Sequence, residues 1–173
     1  MAVEEFIIKE ITNAVEIEKS VDVIRNSFKT VAKEFGLTKH NCPTHPSFVT
    51  INQLKELKSK GVTFFGLFLG NKQIGFIAVE KADVNLYYIE KLAVLPANRH
   101  RGYGAKLMGF AFDYIRGNSG KKISIGIINE HTVLKSWYIE LGFREVMTEK
   151  FPHLPFTVCF MERDSAPIKT TII

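Results

Sequence analysis

The chain has 173 residues, 46% of them hydrophobic and 24% charged, the balance of an ordinary globular domain that needs no metal or disulfide staple to form a core. Two cysteines far apart in sequence, Cys42 and Cys159, exclude a disulfide framework, and no apolar run approaches the roughly 20 residues that span a bilayer. The net charge of +5 favours anionic ligands, yet the basic residues are scattered, which argues against a nucleic-acid partner.

Glu4 and Glu5 give the start of the chain an acidic character, unlike the basic-then-apolar layout of a signal peptide. A cytoplasmic protein that engages no membrane is therefore expected. Phe6 to Glu10 predicts a first strand, and Asn13 is placed to cap a helix. Ile17, Val21, Ile24, Phe28, Val31 and Phe35 recur at spacings of three and four, one apolar helical stripe with Gly36 at its end. His40 to Pro46 contains two prolines and must be a loop. Thr50 then caps a short helix, Ile51 to Lys60. From Val62 the period becomes that of a sheet. Val62 to Leu69 and Gln73 to Glu80 flank the turn Gly70-Asn71-Lys72 and predict a hairpin. Asn85 to Leu95 predicts a strand ended by Pro96, and Tyr103 to Arg116 a helix with Leu107, Met108, Ala111, Phe112 and Ile115 on its apolar face. Lys122 to Ile128 predicts a strand, Thr132 to Leu141 a helix ended by Gly142, and Arg144 to Glu149 and Phe156 to Met161 two closing strands. The expected fold is α/β of the α+β type: a mixed, mostly antiparallel sheet of about seven strands flanked by about four helices. It forms one domain over residues 1–173, with an unpatterned tail after Arg163.

The turn Arg99-His100-Arg101-Gly102-Tyr103-Gly104-Ala105 joins a strand to a helix, the layout of a phosphate cradle. Backbone N–H groups at a helix start have no partner, and the helix dipole adds partial positive charge there. Gly102 and Gly104 let an anion reach that backbone, and Arg99 and Arg101 add charge. Two glycines alone leave open a turn that merely enters a helix. A dinucleotide fingerprint is excluded because the sixth position from Gly102 is Leu107, and no Gly-Lys-Ser/Thr of a P-loop occurs.

Arg99-His100-Arg101-Gly102-Tyr103-Gly104 resembles the Arg/Gln-x-x-Gly-x-Gly/Ala signature of the GCN5-related N-acetyltransferase (GNAT) family. The preceding strand Tyr87 to Val94, followed by Pro96, is similar to the family's strand at this place. Tyr138-Ile139-Glu140-Leu141-Gly142-Phe143 resembles its second signature, Tyr-x-x-x-Gly-Phe. The resemblance is strongest from about Asn85 to Phe143. It implies a GNAT-like acyl-CoA N-acyltransferase fold and the transfer of an acetyl group from acetyl-CoA, as co-substrate, to a primary amine. A small-molecule acceptor is expected first. A protein or peptide amine, or a non-catalytic acyl-CoA-binding module, stands as the alternative. Dimers are common in the family, and the aromatic strand Phe156 to Met161 could serve an interface or equally the core.

The resemblance also implies roles. Backbone groups of Leu92, Ala93 and Val94 would pair with the pantetheine arm at a sheet edge that splays open, with the Leu92 N–H steadying the negative oxygen of the tetrahedral intermediate. Arg99, His100, Arg101, Gly102, Tyr103, Gly104 and Ala105 would hold the pyrophosphate, with Tyr103 packing over the cofactor or merely over the helix. Tyr138 would serve the departing thiolate as general acid, beside a packing Trp137. Asn129 resembles the asparagine that contacts the pantetheine, but it lies nine residues before Tyr138, farther than usual, and His131 falls nearer the usual place. Lys135 either reaches the nucleotide or is solvated. Glu90, two residues before Leu92 and so expected on its face of the strand, would act as base, bind the amine or form a salt bridge. Some members place the base where this chain has Tyr88.

Family geometry puts two loops over the acceptor, here His40 to Pro46 and Phe151 to Phe156. His40, Cys42 and His45 offer three potential ligands where a structural zinc site wants four, so no metal is expected.

Overall fold

The computed structural model describes residues 5–167. Strand β1 (Phe6–Glu10) leads to helix α1 (Ala14–Glu34). Asn13 caps it, its Oδ1 accepting from the Glu16 N–H at 2.9 Å, and Gly36, with φ +62°, turns the chain away. Helix α2 (Ile51–Ser59) opens on a capping box between Thr50 and Gln53. Strands β2 (Thr63–Leu69), β3 (Lys72–Lys81) and β4 (Leu86–Val94) follow as a meander. Helix α3 (Tyr103–Gly117), β5 (Lys122–Ile128), α4 (Thr132–Glu140), β6 (Arg144–Lys150) and β7 (Thr157–Asp164) complete the order.

The seven strands form one sheet in the order β1-β2-β3-β4-β5-β7-β6. Only β4 and β5 are parallel, so the expected α/β fold with a mostly antiparallel sheet is what the chain adopts. On one face, Ile17, Val21 and Ile24 of α1 and Leu54 of α2 bury Phe64, Phe76, Ala78 and Ala93. On the other, Leu107, Met108 and Ile115 of α3 cover Phe65, Leu67, Ile77 and Val79, and Tyr138 of α4 joins the same core.

Three details refine the expectation. Short 3₁₀ turns at Pro46–Phe48 and Pro96–Asn98 occupy segments that read as loops, each opened by a proline whose fixed φ suits the first turn. Strand β7 runs on to Asp164, and Ser165 is tied in by its N–H to the Lys121 carbonyl and its Oγ to the Gly120 carbonyl. The patterned chain therefore outlasts Arg163; of the expected tail, residues 168–173 lie outside the described residues, as do residues 1–4. Lastly, β7 lies between β5 and β6, with Cys159 and Met161 in the core. The edge at this end of the sheet belongs to β6, which is exposed along its whole length.

The sheet opens in its middle. Strand β4 pairs with β5 only through Leu86, Tyr87 and Tyr88 opposite Lys122, Ile123 and Ser124. Beyond that point β4 runs to Val94 and β5 to Ile128 without pairing, so the edge of β4 that faces β5 has no partner strand. Strand β4 is also kinked there. Lys91 sits at φ +52°, and the register to β3 passes from Glu90–Ala78 to Ala93–Phe76, one residue more on β4 than on β3, which is a β-bulge.

Candidate active site

The end of β4 passes through the 3₁₀ turn into the segment Arg99 to Gly102, and α3 starts at Tyr103. Gly102 is the N-cap, at φ +81°, and places no side chain on the first turn. The leading N–H groups of α3 thus carry no side-chain cap, an arrangement that with the helix dipole suits an anion. His100, Arg101 and Ala105 are exposed around it. Gly104 lies under Trp137: a Cβ there would meet the indole at 3.4 Å.

Two residues of this turn point elsewhere than their sequence position suggests. The Arg99 guanidinium points away from the start of α3 and crosses to α1, donating to the Ser27 carbonyl at 2.5 Å, to Thr30 Oγ1 at 2.9 Å and to the Val94 carbonyl at 3.1 Å. The side chain is half-buried, and burial lowers its pKa. Tyr103 is buried against Phe6 of β1, ring centroids 6.1 Å apart, so its ring belongs to the core.

A cleft of about 800 Å³ occupies the opening between β4 and β5 and reaches both faces of the sheet. Leu92, Val94 and Tyr138 line the α3 side; Ser27, Phe28, His45 and Glu90 line the α1 side. The bulge decides this division. Directly opposed residues of antiparallel strands share a face. Glu90, opposite Ala78, therefore faces α1, whereas Leu92 packs into the α3-side core. The expectation that Glu90 and Leu92 share a face is corrected: the extra residue, Lys91, reverses the alternation. Lys91 Nζ lies 3.1 Å from Glu90 Oε2, so the carboxylate has an ion-pair partner within the cleft wall.

Tyr138 is 6% exposed, wedged edge-on between Trp137 and Phe143 at 5.0 and 5.5 Å. Burial raises the pKa of its phenol, which stays protonated and able to donate. Asn129 is not in the cleft wall. Its Oδ1 accepts from Lys135, which also lies 3.5 Å from Glu145. Lys135 is thus neither solvated nor aimed at the turn. His131 does line the cleft, and its Nδ1 accepts from the Leu134 N–H as the cap of α4.

On the α1 side, His45 is buried and its Nδ1 lies 2.7 Å from Ser47 Oγ. Burial lowers its pKa to about 4, so the imidazole is neutral at pH 7. Ser27, 2% exposed, also lines the cleft, and its Oγ has no hydrogen-bond partner. Sequence reasoning missed Ser27. The available signal was two serines, Ser20 and Ser27, spaced seven residues apart on the buried stripe of α1. The two expected loops do meet over this half: Leu154 and Phe156 pack against Ala32, Leu37 and Cys42. Among the described residues no group of three His, Cys, Asp or Glu side chains converges, and no helix is long and apolar enough to cross a membrane.

The chain is similar in fold to solved acetyltransferases. The ribosomal-protein-S18-alanine N-acetyltransferase of Escherichia coli superposes with a TM-score of 0.75 at 11% identity, covering 98% of this chain and 99% of that one. The PaiA N-acetyltransferase of Thermoplasma acidophilum, solved with coenzyme A, gives 0.71 at 18% identity, covering 92% and 99%. An aminoglycoside 6'-N-acetyltransferase, also complexed with coenzyme A, gives 0.69 at 17% identity, covering 93% and 98%. No curated protein sequence matches this chain. Residues 28–143 match the Acetyltransferase (GNAT) family, a span that holds α1 from its middle, the open strand β4, the glycine turn and Tyr138 through Phe143, and the chain belongs to that family.

Proposed function

We propose that the protein transfers the acetyl group of acetyl-CoA to a primary amine of a small molecule, both substrates meeting in the cleft between β4 and β5. The observation that carries this is the continuity of that cleft: it joins the α3 side of the sheet, with Tyr138 and the open edge of β4, to the α1 side with Glu90. The residues present fit acetyl-CoA. The uncapped start of α3, from Gly102 to Ala105, suits a pyrophosphate, and the unpartnered edge at Leu92, Ala93 and Val94 suits an extended pantetheine arm. The two neighbours solved with coenzyme A support this use of the fold.

The amine nitrogen attacks the thioester carbonyl carbon, and the carbon–sulfur bond then breaks. The Leu92 N–H donates to the oxygen that becomes negative. Glu90, directly or through water, takes the proton the amine must lose, and the Tyr138 hydroxyl donates to the departing sulfur. Holding both reactants in one cleft makes the step local. A small acceptor is the reading that Leu154 and Phe156 support, since they pack on Ala32, Leu37 and Cys42 and bring apolar side chains to the wall of the acceptor half. The cytoplasm is the proposed setting, which two unpaired buried cysteines, Cys42 and Cys159, suit.

The test is free-thiol release from acetyl-CoA across a panel of amines. Release above hydrolysis with at least one amine is expected. Tight acetyl-CoA binding without transfer to any amine or peptide would overturn the reading in favour of a binding module.

A further inference from the structure

Arg163 of β7 is a buried cation, 6% exposed, that holds the end of the helix carrying Tyr138. Its guanidinium donates to three carbonyls: Leu141 at 2.5 Å, Ala166 at 2.9 Å and Asp164 at 2.9 Å. Its Cζ also lies over Phe112, 4.0 Å from the ring centroid, and 6.0 Å from that of Phe143. Leu141 is the C-cap of α4, where carbonyls lack a partner within the helix and the dipole favours a cation. Helix α4 is nine residues long, and Tyr138 is its one buried residue, so apolar burial alone registers it weakly. The Tyr138 ring leans on Trp137, which moves with α4, and on Phe143, which does not belong to the helix. Phe143 in turn packs on Phe112 of α3, with centroids 6.1 Å apart.

We infer that Arg163 is a positioning residue for Tyr138, an inference that rests on the acetyltransferase reading above. It grips the last turn of α4 through the Leu141 carbonyl and backs the Phe143 ring against which the phenol is wedged. Both contacts set where the Tyr138 hydroxyl stands relative to the departing sulfur. A hydrogen bond to that sulfur weakens steeply with distance and angle, and a shift of about 1 Å imposed from afar can cost roughly 100-fold in rate. Burying a charge on neutral partners is a costly way to gain stability, whereas a flat guanidinium with fixed donor directions suits alignment of a helix end. Lysine, a point donor on a flexible stem, cannot hold the Leu141 carbonyl and both rings in the same way.

The experiment is a double-mutant cycle between Arg163 and Tyr138 in the full chain. Thiol release from acetyl-CoA is followed with spermidine, kanamycin, 2-phenylethylamine and a lysine-bearing peptide, and the amine that turns over fastest is used throughout. Arg163→Lys keeps a cation and the apolar stem, and so keeps the fold; Arg163→Met keeps only the stem and is read beside it, below its own melting temperature. A fall in kcat of about tenfold is expected for Arg163→Lys, with a larger fall for Arg163→Met and the Kd for acetyl-CoA within about twofold in both. In the Tyr138→Phe background the same substitutions should change kcat less than about twofold, because no hydroxyl is left to position. Equal factors in the two backgrounds overturn the inference and leave Arg163 a stability residue. So does a loss of acetyl-CoA affinity that matches the loss of kcat. An unchanged kcat in Tyr138→Phe overturns it as well, while acetyl transfer stands. Acetyl-CoA binding without thiol release to any of the four amines overturns the enzyme reading itself.

Discussion

Arg99 and Ser27 are 72 residues apart in sequence and joined by a 2.5 Å hydrogen bond, so the segment that leads into the glycine turn is fastened to the helix that walls the acceptor half. Replacing Arg99 by Met keeps the length of the stem and removes every donor. The Ser27 and Val94 carbonyls then lose a charged partner, and a stability loss of about 1–3 kcal/mol is expected. Denaturant unfolding measures it. Because α1 is released at its cleft face, KM for the amine should rise more than the Kd for acetyl-CoA. The reverse order would place the Arg99 guanidinium on the phosphate after all.

Tyr138→Phe leaves the apolar contacts with Trp137 and Phe143 and removes only the hydroxyl. A fall in kcat of about 100-fold, with acetyl-CoA affinity changed little, is expected for a donor to the leaving sulfur. Stopped-turnover assays and calorimetric titration separate the two. Equal losses in both would make Tyr138 a binding residue. Since burial raises the pKa of the phenol, activity should show no loss attributable to its ionisation between pH 7 and pH 9.

The bulge at Lys91 predicts a residue-specific response. At φ +52°, glycine is at ease and a β-branched side chain is not, by about 1–2 kcal/mol. Lys91→Val should therefore lower the melting temperature, whereas Lys91→Gly should not. Both remove the ion pair with Glu90, so its loss cancels in their difference. Equal melting temperatures for the two would mean that the bulge relaxes when its side chain changes.

His45 sets a pH dependence of stability. Its imidazole is protonated near 6.5 in the unfolded chain but only near pH about 4 in the folded one, because burial disfavours the charge. Between these values the unfolded state binds more protons, so the contribution is fully present above pH 6.5 and is lost as pH falls toward 4. Chemical denaturation between pH 4 and pH 7 should show this decline, and His45→Gln should flatten it.

Much of the fold was legible because it is written in short-range pattern. The three- and four-residue spacing from Ile17 to Phe35 marks α1, Asn13 and Thr50 mark helix starts through their own side-chain oxygens, and Gly102 marks the entry to α3. The turn from β4 into α3 was legible for the same reason. The face of Glu90 was not, because the bulge is centred on a lysine, and nothing in a lysine announces a positive φ as a glycine would. The targets of Arg99, Asn129 and Lys135 were equally hidden. Each is satisfied by an atom from another element, Ser27 of α1 for Arg99 and Glu145 of β6 for Lys135, and such partners are chosen by packing rather than by neighbours in the chain.

The bare edge strand β6 has a consequence for how copies of the protein meet in crowded solution. A free strand edge invites the same strand of another molecule. Val146 and Met147, about half exposed, sit at the centre of that edge. If two such strands ran antiparallel about a twofold axis at Met147, Arg144 would fall opposite Lys150 and Glu145 opposite Glu149, like against like at both ends. The arrangement of four charges thus opposes pairing of copies in that register, and neutralising all four should raise self-association through β6, read by sedimentation at rising protein concentration.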